Sequence, residues 1–298
     1  MAPTARGSCE TAPVVAALVI LLGSLLTAHS VPCPHPDAPR SPSRAELRVV
    51  QYNIRSGRGL DGRADLERTA RTLEALRPDV VGLQEVDVHW SARSSWRDQI
   101  AALAERLSMR AFFAPVYTLP PPEPGSPPRR FGTAVLSTLP IVETTNHRMT
   151  RVSSLHPERP PRRRPGSAEV VLDLEGTRLH AYSAHLDHRP DPRIRRRQVR
   201  EALGTLAADP AGEPTVLFGD LNAPARAPEL APLWRRLRTT ESPPGRPTYP
   251  TRDPRVRIDH IAVSPEVTVS CSATPWSGAS DHLPVLAGLS VPSGEHGE

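Results

Sequence analysis

Arg77-Pro78-Asp79-Val80-Val81-Gly82-Leu83-Gln84-Glu85-Val86-Asp87 joins the end of a helical pattern to an apolar strand that finishes in polar residues. Upstream, Asp65 to Arg77 places Leu66, Leu73 and Leu76 on one face around Ala70, which is helical spacing. Pro78 closes that helix, because proline cannot continue the amide ladder. Val80 to Leu83 is then a short apolar run of the buried-strand type, and it delivers Glu85 at its carboxyl end. Before the helix, Leu47 to Asn53 reads as a strand, and Ser56 to Gly62 is a glycine-rich loop. After the strand, Arg97 to Leu107 repeats the helical pattern with Ile100, Leu103, Ala104 and Leu107. Strand, helix, strand, helix is the opening of an α/β domain.

Six stretches repeat the device of a strand ending in acidic, amide or imidazole residues. They are Gln51-Tyr52-Asn53, Gln84-Glu85, His185-Leu186-Asp187, Gly219-Asp220-Leu221-Asn222, Ile258-Asp259-His260 and Ser280-Asp281-His282. A single carboxylate at a strand end is ordinary surface charge; six such ends in one chain are the parts of a site. A phosphodiester repels a water nucleophile and has a poor leaving group. A hard cation held by carboxylates answers both problems. Glu85 and Asp281 are the oxygen ligands this reading favours, and so sparse a set suits Mg²⁺ or Mn²⁺ better than a four-ligand zinc cage. Asp220 and Asn222 lie two apart, so on an extended segment both side chains point the same way; an Asx turn or helix cap is the alternative for this tetrapeptide. Asp220 can then orient or deprotonate water while the Asn222 amide donates to phosphoryl oxygens. His282 beside Asp281, with Asp259 on the preceding strand, reads as an imidazole oriented by a second carboxylate. His185 is a further imidazole at a strand end. No His-Glu-x-x-His pattern, P-loop or Gly-x-Ser-x-Gly elbow occurs, which argues against zinc protease, kinase and serine esterase.

Elsewhere Thr133 to Ser137, Ile141 to Thr145, Glu169 to Leu174, Arg178 to Ala184, Thr215 to Phe218, Arg257 to Ser264 and Pro284 to Leu289 read as strands. Glu169–Leu174 and Arg178–Ala184 form a hairpin around Glu175-Gly176, and Pro192 to Leu206 is an arginine-rich helix. Pro120 to Arg130 and His156 to Gly166 are read as proline-rich surface loops. The chain of 298 residues has a formal net charge of +5. It has no lysine, so all 37 basic residues are arginine, beside 36 prolines. A basic balance suits a phosphate-bearing partner, although the arginine and proline excess also has the character of a genome-wide bias.

Residues 1–30 are expected to be a secretory signal peptide: Arg6 precedes the apolar run Val14 to Leu26, and Ala28-His29-Ser30 offers small residues for cleavage. That run is shorter than the roughly 20 residues of a membrane span, and an uncleaved anchor is the alternative. Cys33 invites a lipoprotein reading, against which Pro32 counts. Residues 31–45 read as a proline-rich linker, 46–291 as the catalytic domain and 292–298 as a tail. Cys33 and Cys271 can pair in an oxidising compartment or remain unpaired.

With those motifs in hand, the chain resembles the endonuclease/exonuclease/phosphatase superfamily, which includes pancreatic-type deoxyribonucleases, abasic-site endonucleases, inositol-polyphosphate 5-phosphatases and neutral sphingomyelinases. The resemblance runs from Leu47 to Leu289. It is carried by Tyr52-Asn53-Ile54, the 77–87 stretch, Gly219-Asp220-Leu221-Asn222 and Ser280-Asp281-His282. It implies a four-layer α/β/β/α sandwich of two packed mixed sheets flanked by helices. It also implies Asn53 and Glu85 as principal metal ligands with Asp281 contributing, Asp220 activating water, and Asn222 binding phosphate. His282 would be general base or phosphate ligand with Asp259 orienting it, and His185 would aid the leaving group. One departure is visible: the family often has Gly-Asn where this chain has Gly132-Thr133, so the amide contact is lost and a hydroxyl retained.

Substrate is less legible than chemistry. Export and the arginine clusters at 159–164 and 193–200 favour a secreted nuclease acting as a monomer on nucleic acid. A phospholipid or sphingomyelin phosphodiesterase needs an aromatic surface to reach membrane lipid, for which Trp90 and Trp96 are candidates. A sugar- or inositol-phosphate phosphatase comes third, and an inactive binding module on the same fold is the non-enzymatic alternative.

Overall fold

A computed structural model describes Cys33, residues 43–241 and residues 245–294. The expected signal peptide and nearly all of the expected linker lie outside the described residues. The first half of the chain runs β1 (Arg44–Asn53), α1 (Leu66–Leu76), β2 (Val80–Val88), α2 (Gln99–Leu107), β3 (Arg110–Leu119) and β4 (Arg129–Ser137). Next come β5 (Ile141–Arg151), β6 (Arg162–Leu174), β7 (Thr177–His185), α3 (Arg193–Leu206) and β8 (Thr215–Asp220). The last part comprises α4 (Ala231–Trp234), β9 (Arg238–Thr239), β10 (Asp259–Val263), β11 (Thr268–Ala273) and β12 (Val285–Pro292).

These strands make two six-stranded mixed sheets, ordered β11-β12-β1-β2-β4-β3 and β5-β6-β7-β8-β10-β9. Each sheet has one parallel pair at its centre, β1 with β2 and β7 with β8. A parallel pair needs a crossover, and α1 and α3 supply them. Alternation along β1 shows how the layers form. Val49 faces the second sheet among Val80, Val170, Phe218 and Ile261, whereas Val50 faces outward beneath Leu73 of α1 and Leu103 of α2. On the far side, Tyr182 and Leu217 pack under Val199 and Leu206 of α3 and Leu233 of α4. The four-layer α/β/β/α sandwich is therefore the observed architecture. Gly82 lets the sheets approach closely, since a Cβ there would sit 2.2 Å from the Phe218 Cβ.

Local departures from the sequence reading have identifiable causes. β2 does not stop at Leu83; it runs to Val88 through a bulge between Leu83 and Val86. β3 went unread because Pro115 interrupts its pattern, and it is tolerated because β3 is an edge strand with a bulge between Pro115 and Tyr117. Arg162 to Gly166 is not loop but the start of β6, with Arg162, Arg163 and Arg164 paired to Arg151, Thr150 and Met149 of β5. β1 begins at Arg44, inside the segment read as linker. Cys33 and Cys271, left open in the sequence, form a disulfide that ties Cys33 to β11.

Candidate active site

Register brings the strand ends together. Asn53 at the end of β1 lies opposite Gln84, His185 opposite Asp220, and Asp220 opposite Asp259, so five strands (β1, β2, β7, β8 and β10) deliver polar side chains to one rim. Ser280 to His282 enter from the loop before β12, whose Val285 pairs with Gln51. Five of the eight residues singled out from the sequence form one connected cluster. The Asn53 amide nitrogen donates to Glu85 Oε1 at 3.1 Å and to Asp220 Oδ2 at 2.9 Å. His282 Nδ1 meets Asp259 Oδ2 at 2.9 Å, and its Nε2 lies 3.8 Å from Asp220 Oδ2. His185 joins at the edge, with Nε2 at 3.4 Å from the same Asp220 oxygen.

Asp281 is attached more loosely. The Ser280 hydroxyl donates to the Asn53 carbonyl at 2.7 Å and approaches Asp281 Oδ1 at 3.4 Å, while Arg55 Nε sits 3.2 Å from Asp281 Oδ2. Asn222 corrects the sequence argument. β8 ends at Asp220, and Asn222 adopts a left-handed backbone with φ 51°, so simple strand alternation does not place it. Its backbone N–H donates to Asp220 Oδ1 at 3.0 Å, the Asx-type turn that competes with extended structure. One N–H of its side-chain amide goes to the Leu186 carbonyl at 3.0 Å, leaving the other for a ligand.

Three further residues support the cluster. Gln51 Nε2 donates to Asp259 Oδ1 at 2.7 Å, so the fully buried Asp259 has both oxygens engaged. Gln51 precedes Asn53 by two on β1, and that i, i+2 spacing was the available signal. Arg55 neutralises Asp281, and the Tyr249 ring packs on His282 at 4.8 Å between centroids. Neither had a signal in the sequence, because both contacts depend on loops folding back.

Burial alone pulls the His282 imidazolium down, but the carboxylates of Asp259 and Asp220 outweigh it and push the pKa up to about 10. In this state His282 is a cation that offers Nε2–H to the cleft. His260, next to Asp259, goes the other way. Burial and nearby Arg257 lower it to about 4, and its Nε2 meets the Ala223 carbonyl at 3.0 Å, a structural role.

Glu85, Asp220, Asp259 and Asp281 are carboxylates of this cluster, set against Arg55 and His282 as cations. The excess of negative charge, carried on oxygen donors, fits a hard divalent cation. Asn53 also fits: an amide lying between Glu85 and Asp220 presents oxygen to a cation when it turns over.

Residues 50–282 match the model of the Endonuclease/Exonuclease/phosphatase family. No curated protein sequence matches the chain. Among solved structures, an endonuclease/exonuclease/phosphatase from Beutenbergia cavernae DSM 12333 superposes with TM-score 0.67 at 26% identity, covering 84% of this chain and 72% of that one. The human nocturnin catalytic domain, solved with a bound sulfate, gives TM-score 0.61 at 21% identity over 82% of this chain and 93% of that one. A mannosyl-6-phosphatase from Bacteroides thetaiotaomicron VPI-5482 gives 0.58 at 18%, over 82% of this chain and 99% of that one. With strand ends, cluster and family model in agreement, the chain belongs to the endonuclease/exonuclease/phosphatase family of phosphoric ester hydrolases.

Proposed function

We propose that this family member is an exported, nuclease-like phosphodiesterase dependent on Mg²⁺ or Mn²⁺. The observation that carries the reading is the continuous chain of contacts from Gln51 through Asp259, His282, Asp220 and Asn53 to Glu85. Glu85, Asn53 and Asp281 would hold the cation, which when bound neutralises the phosphoryl group as a Lewis acid. Asp220, engaged by Asn53 on one oxygen and by the Asn222 backbone on the other, is positioned to orient the attacking water and accept its proton. His282 offers Nε2–H to a phosphoryl oxygen, with Asp259 and Gln51 fixing the ring. The second N–H of Asn222 supplies a neutral donor to the developing charge. His185, at the edge of the cluster, faces the departing oxygen.

Nucleic acid is favoured over other phosphoesters by exposed Arg196, Arg197 and Arg200 on α3, which suit a phosphate backbone. A lipid-directed reading has one observation of its own: Trp276 is 75% exposed and Trp96 41%, the aromatic surface that a bilayer interface requires. Trp90, a candidate for the same role, instead packs against Tyr117 and Phe131. The purified protein, assayed with EDTA and then with Mg²⁺ or Mn²⁺, should hydrolyse plasmid DNA and bis-(p-nitrophenyl) phosphate only with metal. Turnover of sphingomyelin vesicles without turnover of DNA would replace the nuclease with the lipid enzyme.

A further inference from the structure

Beside the catalytic cluster lies a cavity of about 100 Å³, with His185, Tyr117, Phe131 and Arg151 among its lining residues. Two features of it are unusual. The first is the state of Arg151. Its Nη1 donates to the carbonyl of His185 at 2.9 Å and its Nη2 to the carbonyl of Gly166 at 2.7 Å, while Nε is buried without a partner. The carboxylates that bear on it are committed elsewhere. Asp187 is held by Arg189 at 2.5 Å, and Glu201 accepts from the Thr150 backbone and hydroxyl at 2.6 and 2.7 Å. Burial lowers the Arg151 pKa to about 10, which leaves it charged at neutral pH. A buried cation paired only with neutral carbonyls costs stability unless an anion completes it.

The second feature is an aromatic pair in the lining. Tyr117 and Phe131 stack at 6.3 Å with an interplanar angle of 28°. Trp90 packs against Phe131 at 5.7 Å, and Arg93 lies over both the Trp90 and Phe131 rings while binding buried Asp87. This aromatic wall is therefore held rigidly from one side. The Tyr117 hydroxyl also accepts from the Ser154 backbone at 2.8 Å, fixing the loop that follows β5.

A guanidinium with no carboxylate hydrogen-bonded to it, lining one cavity with a stacked aromatic pair, is complementary to a phosphate joined to a planar ring. We propose that this cavity is a nucleotide subsite flanking the scissile phosphate, in which Arg151 takes the neighbouring phosphate and Tyr117 and Phe131 take the base. The assignment rests on the nuclease reading above and deepens it. A lipid acyl chain has no use for the charge, and a sugar phosphate has no planar ring for the wall. Because Arg151 is anchored on the carbonyl of His185, the second phosphate would be gripped one residue from an imidazole that faces the leaving group.

Competitive inhibition of bis-(p-nitrophenyl) phosphate hydrolysis in Mg²⁺ separates the two phosphate positions, since one phosphate suffices for the catalytic centre. Deoxyadenosine 3′,5′-bisphosphate should inhibit wild type roughly tenfold or more below deoxyadenosine 5′-monophosphate, the worth of one charge-assisted contact. It should also inhibit roughly tenfold below the abasic deoxyribose bisphosphate, the worth of stacking. Arg151→Gln should erase the first ratio and keep the second, Arg151→Lys should keep part of the first, and Phe131→Leu should shrink the second. Equal inhibition of wild type by mono- and bisphosphate overturns the proposal without any variant. So does an Arg151→Gln protein that loses hydrolysis of the generic substrate while keeping both ratios, because Arg151 then only props His185. Retention of both ratios in an enzyme that cleaves no DNA would sink the nuclease reading and leave the subsite standing. DNA cleavage with neither ratio would do the reverse.

Discussion

At the scale of single residues, the His282–Asp259 pair carries the most chemistry. Asp259 is fully buried, with one oxygen on His282 and the other on Gln51. Removing either partner leaves a buried charge or a freely turning ring. His282→Ala should lower kcat by about 10² to 10⁴, the usual worth of a positioned acid–base or phosphate-binding group. Asp259→Asn should lower kcat with KM nearly unchanged, because it misorients the ring rather than the substrate. The double variant should be little worse than His282→Ala alone, since the two act as a unit. Additive losses in a double-mutant cycle would assign Asp259 a separate task. This pairing was readable from two short motifs because each side chain sits at a strand or loop end fixed by register. Arg55 on Asp281 and Tyr249 over His282 were not readable, because they arrive from loops whose path no local pattern encodes. Asn222 was misjudged in its placement because a turn competed with the strand and won.

At the scale of the element, the bulge in β2 is what aims the carboxylate. Two residues, Gln84 and Glu85, occupy the irregular register between Leu83 and Val86, and Glu85 takes φ 55°. A non-glycine residue there costs roughly 1 kcal/mol, and such strain persists where it serves a site. Glu85→Gly should therefore be more stable than Glu85→Ala by about 1 kcal/mol in urea unfolding, because both lack the carboxylate and only glycine relieves the backbone. Equal stabilities would mean that the bulge carries no strain. Glu85→Gln keeps the shape and removes the charge, so it should raise the Mg²⁺ concentration for half activity; an unchanged titration would remove Glu85 from the ligand set. The period of apolar residues revealed β2 but not its continuation past Leu83, because polar Gln84 and Glu85 look like a strand end. For the same reason edge strand β3, broken by Pro115, was silent, whereas β7 and β8, buried on both faces, were plain.

At the scale of the whole molecule, charge and compartment make two further claims. The chain has no lysine, so few side chains other than its histidines can titrate between pH 6 and 10. His180, at the end of β7 far from His185, contacts Glu169 at 2.8 Å and Glu213 at 2.6 Å. Burial alone lowers its pKa, but those carboxylates and Asp209 raise it from 6.5 to about 9. Its stabilisation is complete below pH 6.5 and fades as pH rises through 9. Glu169 runs oppositely: burial raises it, while His147, His180 and Tyr182 lower it from 4.5 to about 2, so its share fades only as pH falls through 2. His282, raised from 6.5 to about 10, fades over the same window, so Tm should fall by several degrees from pH 6.5 toward 9.5, and His180→Gln should lower Tm at pH 6.5 and flatten part of that fall. A wild-type Tm constant to pH 9.5 would refute the assignment. The second claim joins the Cys33–Cys271 bond to the apolar run Val14 to Leu26. Such bonds persist where the compartment is oxidising, and an apolar run of that length is what a secretory signal would supply. Cys9 would leave with the signal, so the exported protein should begin near Val31 and, denatured without reductant, give no reaction with a maleimide. A retained precursor would begin at Met1 and keep one reactive thiol, Cys9, and a protein held in a reducing compartment would show free thiols at Cys33 and Cys271. N-terminal sequencing with a thiol count on the same sample therefore distinguishes all three fates.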